Sequence, residues 1–282
     1  MDEVRGWVEK SPYGLALGVS LSQLSEQAAQ LRLPYRDENS NPGRVLHGGV
    51  AASLSVISAQ AVTRAALGPE SAPWHTIGFQ VNYLAAAMGE AVVADATLDR
   101  RGKELCFVSV SVKTEAEGKP IACANVTVRG RFGGDAIERY ETAGDLGDDD
   151  PGPMGRHIGG VPFIGNRGIS VENMTGGRSR LVMPWLDSNG DESGGLHEGA
   201  VLALLDTAGA MAAWAETGPG RFKASTPSIQ AQVLAPPPRG DLVAYGRVVQ
   251  RDGTIFWCDV EVAGQSDRLV CARGTVIYRI LT

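Results

Sequence analysis

The sequence is written twice. An ungapped offset of 150 residues carries Pro12-Tyr13 onto Pro162-Phe163, Gly18-Val19-Ser20 onto Gly168-Ile169-Ser170, Pro34-Tyr35 onto Pro184-Trp185, and Leu46-His47 onto Leu196-His197. The same offset relates Gly49 to Gly199, Gly68-Pro69 to Gly218-Pro219, Thr76 to Thr226, Gln80 to Gln230, and Leu84 to Leu234. Solenoid repeats run to only about 20–50 residues, so each copy must be a domain-sized unit with its own secondary structure. Two such units in one chain are expected to pair as a fused dimer.

Bulk properties narrow the functions available. The 282 residues fit two domains of ordinary size, and 43% hydrophobic with 21% charged residues is a globular balance. A net charge of -6 with no basic run argues against nucleic-acid binding, which draws on clustered Lys and Arg. The longest apolar stretch, 48–61, is broken by Ser and Gln and reads as too short for a bilayer. The start of the chain has neither the basic residues nor the apolar run of a secretory signal, so a cytoplasmic protein is expected.

Cys106, Cys123, Cys258 and Cys271 lie in strand-like segments without metal spacing and are expected to be buried thiols. His47, His75, His157 and His197 form no metal-binding pattern either, and no metal or cofactor is expected. The nucleophile elbow, the phosphate-binding loop and the dinucleotide fingerprint are all missing.

Each copy opens with a short polar-capped segment and an alternating strand carrying Leu31, Leu33 and Tyr35, or Leu181, Met183 and Trp185. Polar loops over 36–45 and 186–195 then deliver the chain to His-x-Gly at a helix start. Over 49–66 and 199–214 nearly every residue is small or aliphatic, which predicts a helix buried on most sides. Strand-like runs follow at 76–84, 91–100, 104–115 and 120–129, and again at 226–234, 241–250, 254–263 and 269–280. Turns such as Arg101-Gly102 and Asp252-Gly253 predict antiparallel hairpins between neighbours, curled around the helix. The fold class is therefore α+β, with domains over 1–132 and 161–282. A charged, Pro/Gly-containing linker is expected over 133–160.

The run from Asn41 to Val50, entering a small-residue helix, and the strand from Phe79 to Leu84 resemble the hot-dog fold and specifically the PaaI-type acyl-CoA thioesterases. The second copy repeats the resemblance from His197 through Asp206 to Gly209 and from Ile229 to Pro236. Together these predict two tandem hot-dog domains forming an intramolecular pseudo-dimer. The resemblance implies acyl-CoA as the small-molecule substrate, with coenzyme A entering only as part of it, and further association of double hot-dog chains into a homo-oligomer.

In that family the backbone N–H after the His, aided by an Asn, holds the thioester carbonyl. A helix carboxylate from the other subunit acts as base or nucleophile, and a Ser or Thr on the next strand orients water. The physics agrees, because a helix N-terminus offers unpaired N–H donors to a developing oxyanion. On this chain the resemblance assigns Asn41, His47 and Gly48 to carbonyl binding, with Gly49 beside them, but the carboxylate position of that copy is Val56. In the second copy the carboxylate is Asp206 with Thr226 downstream, while Asp191 and Glu198 replace the Asn and Gly beside His197. Sites of this family straddle the subunit interface. One composite site is therefore expected to be complete (Asn41, His47, Gly48, Asp206, Thr226) and the other degenerate (Val56, Thr76, Asp191, His197, Glu198).

His47 and His197 are expected to support the loop-to-helix turn rather than transfer protons, and Gly48 and Gly49 to permit close backbone approach. Asp206 stands out as a carboxylate in an apolar helix. Arg101, Lys103 and Arg251 beside hairpin turns are candidates for coenzyme A phosphates. Two other functions remain open: a non-catalytic acyl-CoA binder or regulator, and a hot-dog hydratase or dehydratase. The latter resembles an Asp followed five residues later by His, which neither copy has.

Overall fold

The computed structural model describes residues 1–131, 137–144, 147–220 and 222–281. The first copy comprises α1 (Asp2–Lys10), α2 (Pro12–Leu17), β1 (Ser20–Leu24), β2 (Ala28–Leu33), the short pair β3 (Ser40–Asn41) and β4 (Val45–Leu46), and the long helix α3 (Gly48–Leu67). It continues with β5 (Trp74–Tyr83), β6 (Val92–Arg101), β7 (Leu105–Thr114) and β8 (Pro120–Gly130). The second comprises α4 (Gly152–Ile158), α5 (Pro162–Asn166), β9 (Ser170–Thr175), β10 (Arg178–Met183) and the long helix α6 (Glu198–Thr217). It ends with β11 (Lys223–Val233), β12 (Leu242–Asp252), β13 (Ile255–Gly264) and β14 (Val270–Leu281).

Among the described residues the strands form a twelve-stranded sheet in the order β1-β2-β6-β7-β8-β5-β11-β14-β13-β12-β10-β9. The hairpins expected at Arg101-Gly102 and Asp252-Gly253 are present, but the strand after each long helix does not pair with its successor. β5 lies on the far side of β8, and β11 on the far side of β14. The crossing has a physical reason: it leaves β5 and β11 at the inner edges, where they pair with each other and no edge is left open at the join. In that antiparallel join Gln80 faces Gln230, its own counterpart in the repeat. A local two-fold axis therefore passes between them, as in an isologous dimer.

α3 and α6 are buried along nearly their whole length, as their all-round apolar surface demands. By length and composition α3 could cross a membrane, which corrects the reading of this stretch as too short; here its faces are covered by the sheet and by α6. The two helices meet at small residues related by the same axis. A Cβ on Gly49 would lie 2.6 Å from that of Ala203, and one on Gly199 would lie 2.8 Å from Ser53 Oγ. The short helices are exchanged between the halves: Tyr13 of α2 stacks on His197 at 4.8 Å, and Phe163 of α5 stacks on His47 at 4.5 Å.

Of the stretch expected as linker, 133–136, 145 and 146 lie outside the described residues. Glu141 bridges to Leu269, Arg268 donates to the carbonyl of Thr142, and 152–158 form α4, the counterpart of α1. The thiols are free, and Cys106, Cys258 and Cys271 are buried. Cys123 is exposed, contrary to expectation, because strand alternation turns it to the outer face between Ala122 and Ala124.

Replacing a helical Gly by Ala ordinarily stabilises by about 1 kcal/mol. Gly49→Ala is expected to do the reverse, because the added methyl meets Ala203 and overpacking of this kind costs about 1–3 kcal/mol. The midpoint of urea unfolding checks the sign.

Candidate active site

The loop before each long helix folds back on itself. In the first copy Asn41 pairs with Val45 across Pro42-Gly43-Arg44, where Gly43 and Arg44 take φ of 80° and 62°. This hairpin returns the chain to His47, the N-cap of α3, whose Nδ1 accepts the Gly49 N–H at 2.9 Å. His197 does the same for Gly199 at 2.9 Å. The acceptor role leaves both rings neutral with the proton on Nε2, and burial pushes the His47 pKa down to about 4. Burial also lowers His197. The histidines are thus caps, as expected, and hold the helix entrance. In α3 the Gly48 N–H finds no partner among the described residues and remains one of the orphan donors of a helix N-terminus.

Beside Gly48 stands Asp206, brought from the other half by α6. Its Oδ2 lies 3.0 Å from the point where a Cβ on Gly48 would sit, so a side chain here would press on the carboxylate. Thr226 Oγ donates to Asp206 Oδ1 at 2.8 Å. Asp206 is 5% exposed, and burial pushes its pKa up to about 6 against the opposing Thr226 hydrogen bond. The Tyr83 hydroxyl donates to the Gly48 carbonyl at 3.0 Å. Asn41 is half-buried in the adjoining hairpin and makes no hydrogen bond to Gly48 or Asp206. Ala224 and Ser225 next to Thr226 are exposed, so this side opens to solvent.

The two-fold-related position is filled by the protein itself. Glu198, where the first copy has Gly48, is 5% exposed and extends toward the first half. Its carboxylate accepts Gln60 Nε2 at 2.7 Å and the Thr76 N–H at 3.0 and 3.2 Å, and meets His75 Nδ1 at 2.8 Å. Thr76, paired with Val128 just before a bulge, accepts Gln60 Nε2 on its hydroxyl at 3.3 Å. Outside this cluster, Arg64 pairs with Glu192 at 2.6 Å and lies over the rings of Trp7 at 3.7 Å and Trp74 at 4.8 Å. The Trp7 indole donates to Asp191 at 3.0 Å. Val56, the counterpart of Asp206, is fully buried and supplies no polar group. Glu198 is thus engaged by donors of the first half, and Asp191 by Trp7 of α1 and, at 3.3 Å, by Ser193. On the Asp206 side the corresponding residues are Ala210 for Gln60, Ser225 for His75 and His157 for Trp7, while α4 packs against β9.

The expected residues Gly48, Asp206 and Thr226 are brought together, with His47 and Gly49 beneath them. Arg101, Lys103 and Arg251 are not: they lie on the β6–β7 and β12–β13 hairpins. Arg251 reaches Glu216, ten residues and so about 15 Å along α6 from Asp206. Sequence reasoning overlooked Tyr83 and the plug of Trp7, Gln60, Arg64, Trp74 and His75. Subtracting one copy from the other would have exposed them, since their counterparts are Val233, His157, Ala210, Trp214, Ala224 and Ser225.

Residues 4–129 match the family described as Domain of unknown function (DUF4442), and residues 193–271 match the Thioesterase superfamily. A Halobacterium salinarum protein assigned as an esterase is 36% identical over 104 residues, covering 36% of this chain and 68% of its own. Human acyl-coenzyme A thioesterase 13 is 35% identical over 92 residues, which span 32% of this chain and 64% of the human protein's length. Among solved structures, a hot-dog-fold protein of unknown function from Alicyclobacillus acidocaldarius superposes with a TM-score of 0.66 at 17% identity, covering 97% of each chain. An acyl-CoA thioesterase II from Mycobacterium marinum gives a TM-score of 0.65 at 13% identity, covering 94% of this chain and 95% of its own. At these identities the two structures establish a shared tandem hot-dog fold.

A raised carboxyl pKa means that the ionised form costs the folded state energy, a cost that grows as pH rises above 3.8 and is complete above about 6. Asp206→Asn is therefore expected to match the parent chain in stability near pH 4 and to exceed it by about 3 kcal/mol near pH 8, the equivalent of the shift from 3.8 to about 6. Urea unfolding at the two pH values checks this, and a pH-independent difference would contradict burial as the cause.

Proposed function

Because the chain belongs to the thioesterase superfamily, a family of thioester hydrolases, we propose that it hydrolyses an acyl-CoA thioester to the free acid and coenzyme A at one composite site between its halves. The observation that carries this reading is that Gly48, whose helix N-terminal N–H has no partner among the described residues, lies beside the buried carboxylate of Asp206 from the other half. The acyl-CoA substrate is supported by the human relative, which is named for that activity.

In the proposed mechanism the thioester carbonyl lies with its oxygen toward the Gly48 N–H and the Asn41 side-chain amide. Both donors strengthen as the oxygen gains charge. Asp206, ionised above about pH 6, takes a proton from water or attacks the carbonyl carbon directly. Its raised pKa makes it a stronger base than an exposed carboxylate while leaving it charged at neutral pH. Thr226 holds Oδ1, which leaves Oδ2 for the chemistry on the Gly48 side. On the opposite side Glu198 fills the equivalent space and Val56 stands where a carboxylate is needed, which supports a single working site. Four free thiols fit a reducing compartment such as the cytoplasm.

Release of free coenzyme A from a panel of acyl-CoAs, followed with a thiol reagent, tests the activity. Asp206→Asn is expected to abolish turnover while binding persists, and the rate of the parent chain should fall as pH drops through about 6. Full activity in Asp206→Asn would refute the assignment.

The pairing of the halves makes a separate claim. Asn41→Ala is expected to lower kcat by about 100- to 1,000-fold, the scale of a lost oxyanion donor, whereas Asp191→Ala should leave the rate nearly unchanged. A larger loss from Asp191→Ala than from Asn41→Ala would reverse the assignment of the two sides.

A further inference from the structure

Tyr83 lies against the Asp206 site. Its hydroxyl donates to the Gly48 carbonyl at 3.0 Å, and its ring carbons Cζ and Cε1 come within 3.5 and 3.6 Å of the point where a Gly48 Cβ would sit. The peptide joining Gly48 to Gly49 is thereby held at both ends. Its N–H is bound by His47 Nδ1 at 2.9 Å, and its carbonyl by Tyr83. The peptide that carries the Gly48 N–H is held by its own carbonyl, that of His47, which accepts the Val50 N–H at 2.9 Å, so Tyr83 adds a hold on the far side of Gly48, a residue with no side chain to limit rotation. In the other half His197 anchors Gly199 in the same way, but the counterpart of Tyr83 is Val233, which has no donor. There the corresponding residue, Glu198, is anchored by its own side chain instead. A hydroxyl is thus present on the side where the helix entrance is open and absent on the side where it is plugged. Burial and the Asp206 carboxylate both raise the Tyr83 pKa, so the phenol stays protonated and able to donate.

We propose that Tyr83 is a positioning residue for thioester hydrolysis: by holding the Gly48 carbonyl it limits rotation at Gly48 and so steadies the Gly48 N–H toward the developing oxyanion. The role rests on the thioesterase reading above. It predicts a specific kinetic signature, because the donor gains importance only as charge develops on the substrate oxygen. Loss of the hydroxyl should act on kcat and leave KM alone.

The test is Tyr83→Phe, which removes one oxygen and keeps the ring, alongside Tyr83→Val, which installs the residue of the other copy. Both are assayed with the best acyl-CoA of the panel, well below the melting transition measured for each variant. Expected is a fall in kcat of about 10- to 100-fold, the cost of a small misplacement of a catalytic group, with KM within twofold of the parent. The peptide containing Gly48 should also exchange its amide hydrogens faster in Tyr83→Phe than in the parent chain. An active parent chain with kcat unchanged in Tyr83→Phe would overturn the positioning role and leave the thioesterase reading standing, as would a loss confined to KM. A parent chain inactive on every thioester would overturn both.

Discussion

Everything in this molecule depends on how closely its two buried helices approach. Gly49 against Ala203 and Gly199 against Ser53 let α3 and α6 pack with their N-terminal turns beside each other's middles. That contact carries the entrance of one helix to the side chain nine residues beyond the cap of the other. Gly48, with its orphan N–H, comes beside Asp206, and Glu198 lies across from Thr76 and Gln60. The sheet join at Gln80 and Gln230 enforces the same two-fold relation from outside, and the exchanged aromatics Tyr13 and Phe163 brace the two histidine caps. A larger residue at any of the small positions would separate the helices and take apart both sides together.

The same scaffold nevertheless supports two sides with opposite chemistry. At the Asp206 side the charged group is left partly unsatisfied: one hydroxyl holds one carboxylate oxygen, and desolvation keeps the pKa high. At the Glu198 side the carboxylate is saturated by a backbone N–H, an amide and an imidazole, and is roofed by Arg64 between two indoles. A buried carboxylate with its lone pairs satisfied is fixed in place, whereas one held on one oxygen beside an unpaired N–H has the arrangement the proposed chemistry needs. In a symmetric homodimer each change to one site is imposed on the other. Two copies in one chain remove that constraint, and Gly48 against Glu198 and Val56 against Asp206 are polar differences at these two positions.

Much of this was legible in the sequence, for identifiable reasons. The offset of the repeat, the all-round apolarity of the long helices and the Gly-Pro stops set the helices to within a few residues. Asp206 was conspicuous because a carboxylate in such a helix has no bland explanation, and the capping role of His47 follows from its place before two glycines. The position of β5 was not legible. Adjacency in sequence suggests a hairpin with β6, and only the need to pair the inner edges with each other places it beyond β8. The plug was hidden for a different reason. Trp7, Gln60, His75 and Glu198 are far apart in the chain, and each looks ordinary until the fold brings them together.

The central claim is that a chain built as two copies retains one working site. Calorimetric titration of the intact protein with a non-hydrolysable acyl-CoA analogue reads this directly. The account predicts one analogue bound per chain. Two equivalent sites per chain would contradict it, because Glu198 and its partners would then be giving way to a ligand in the position they fill.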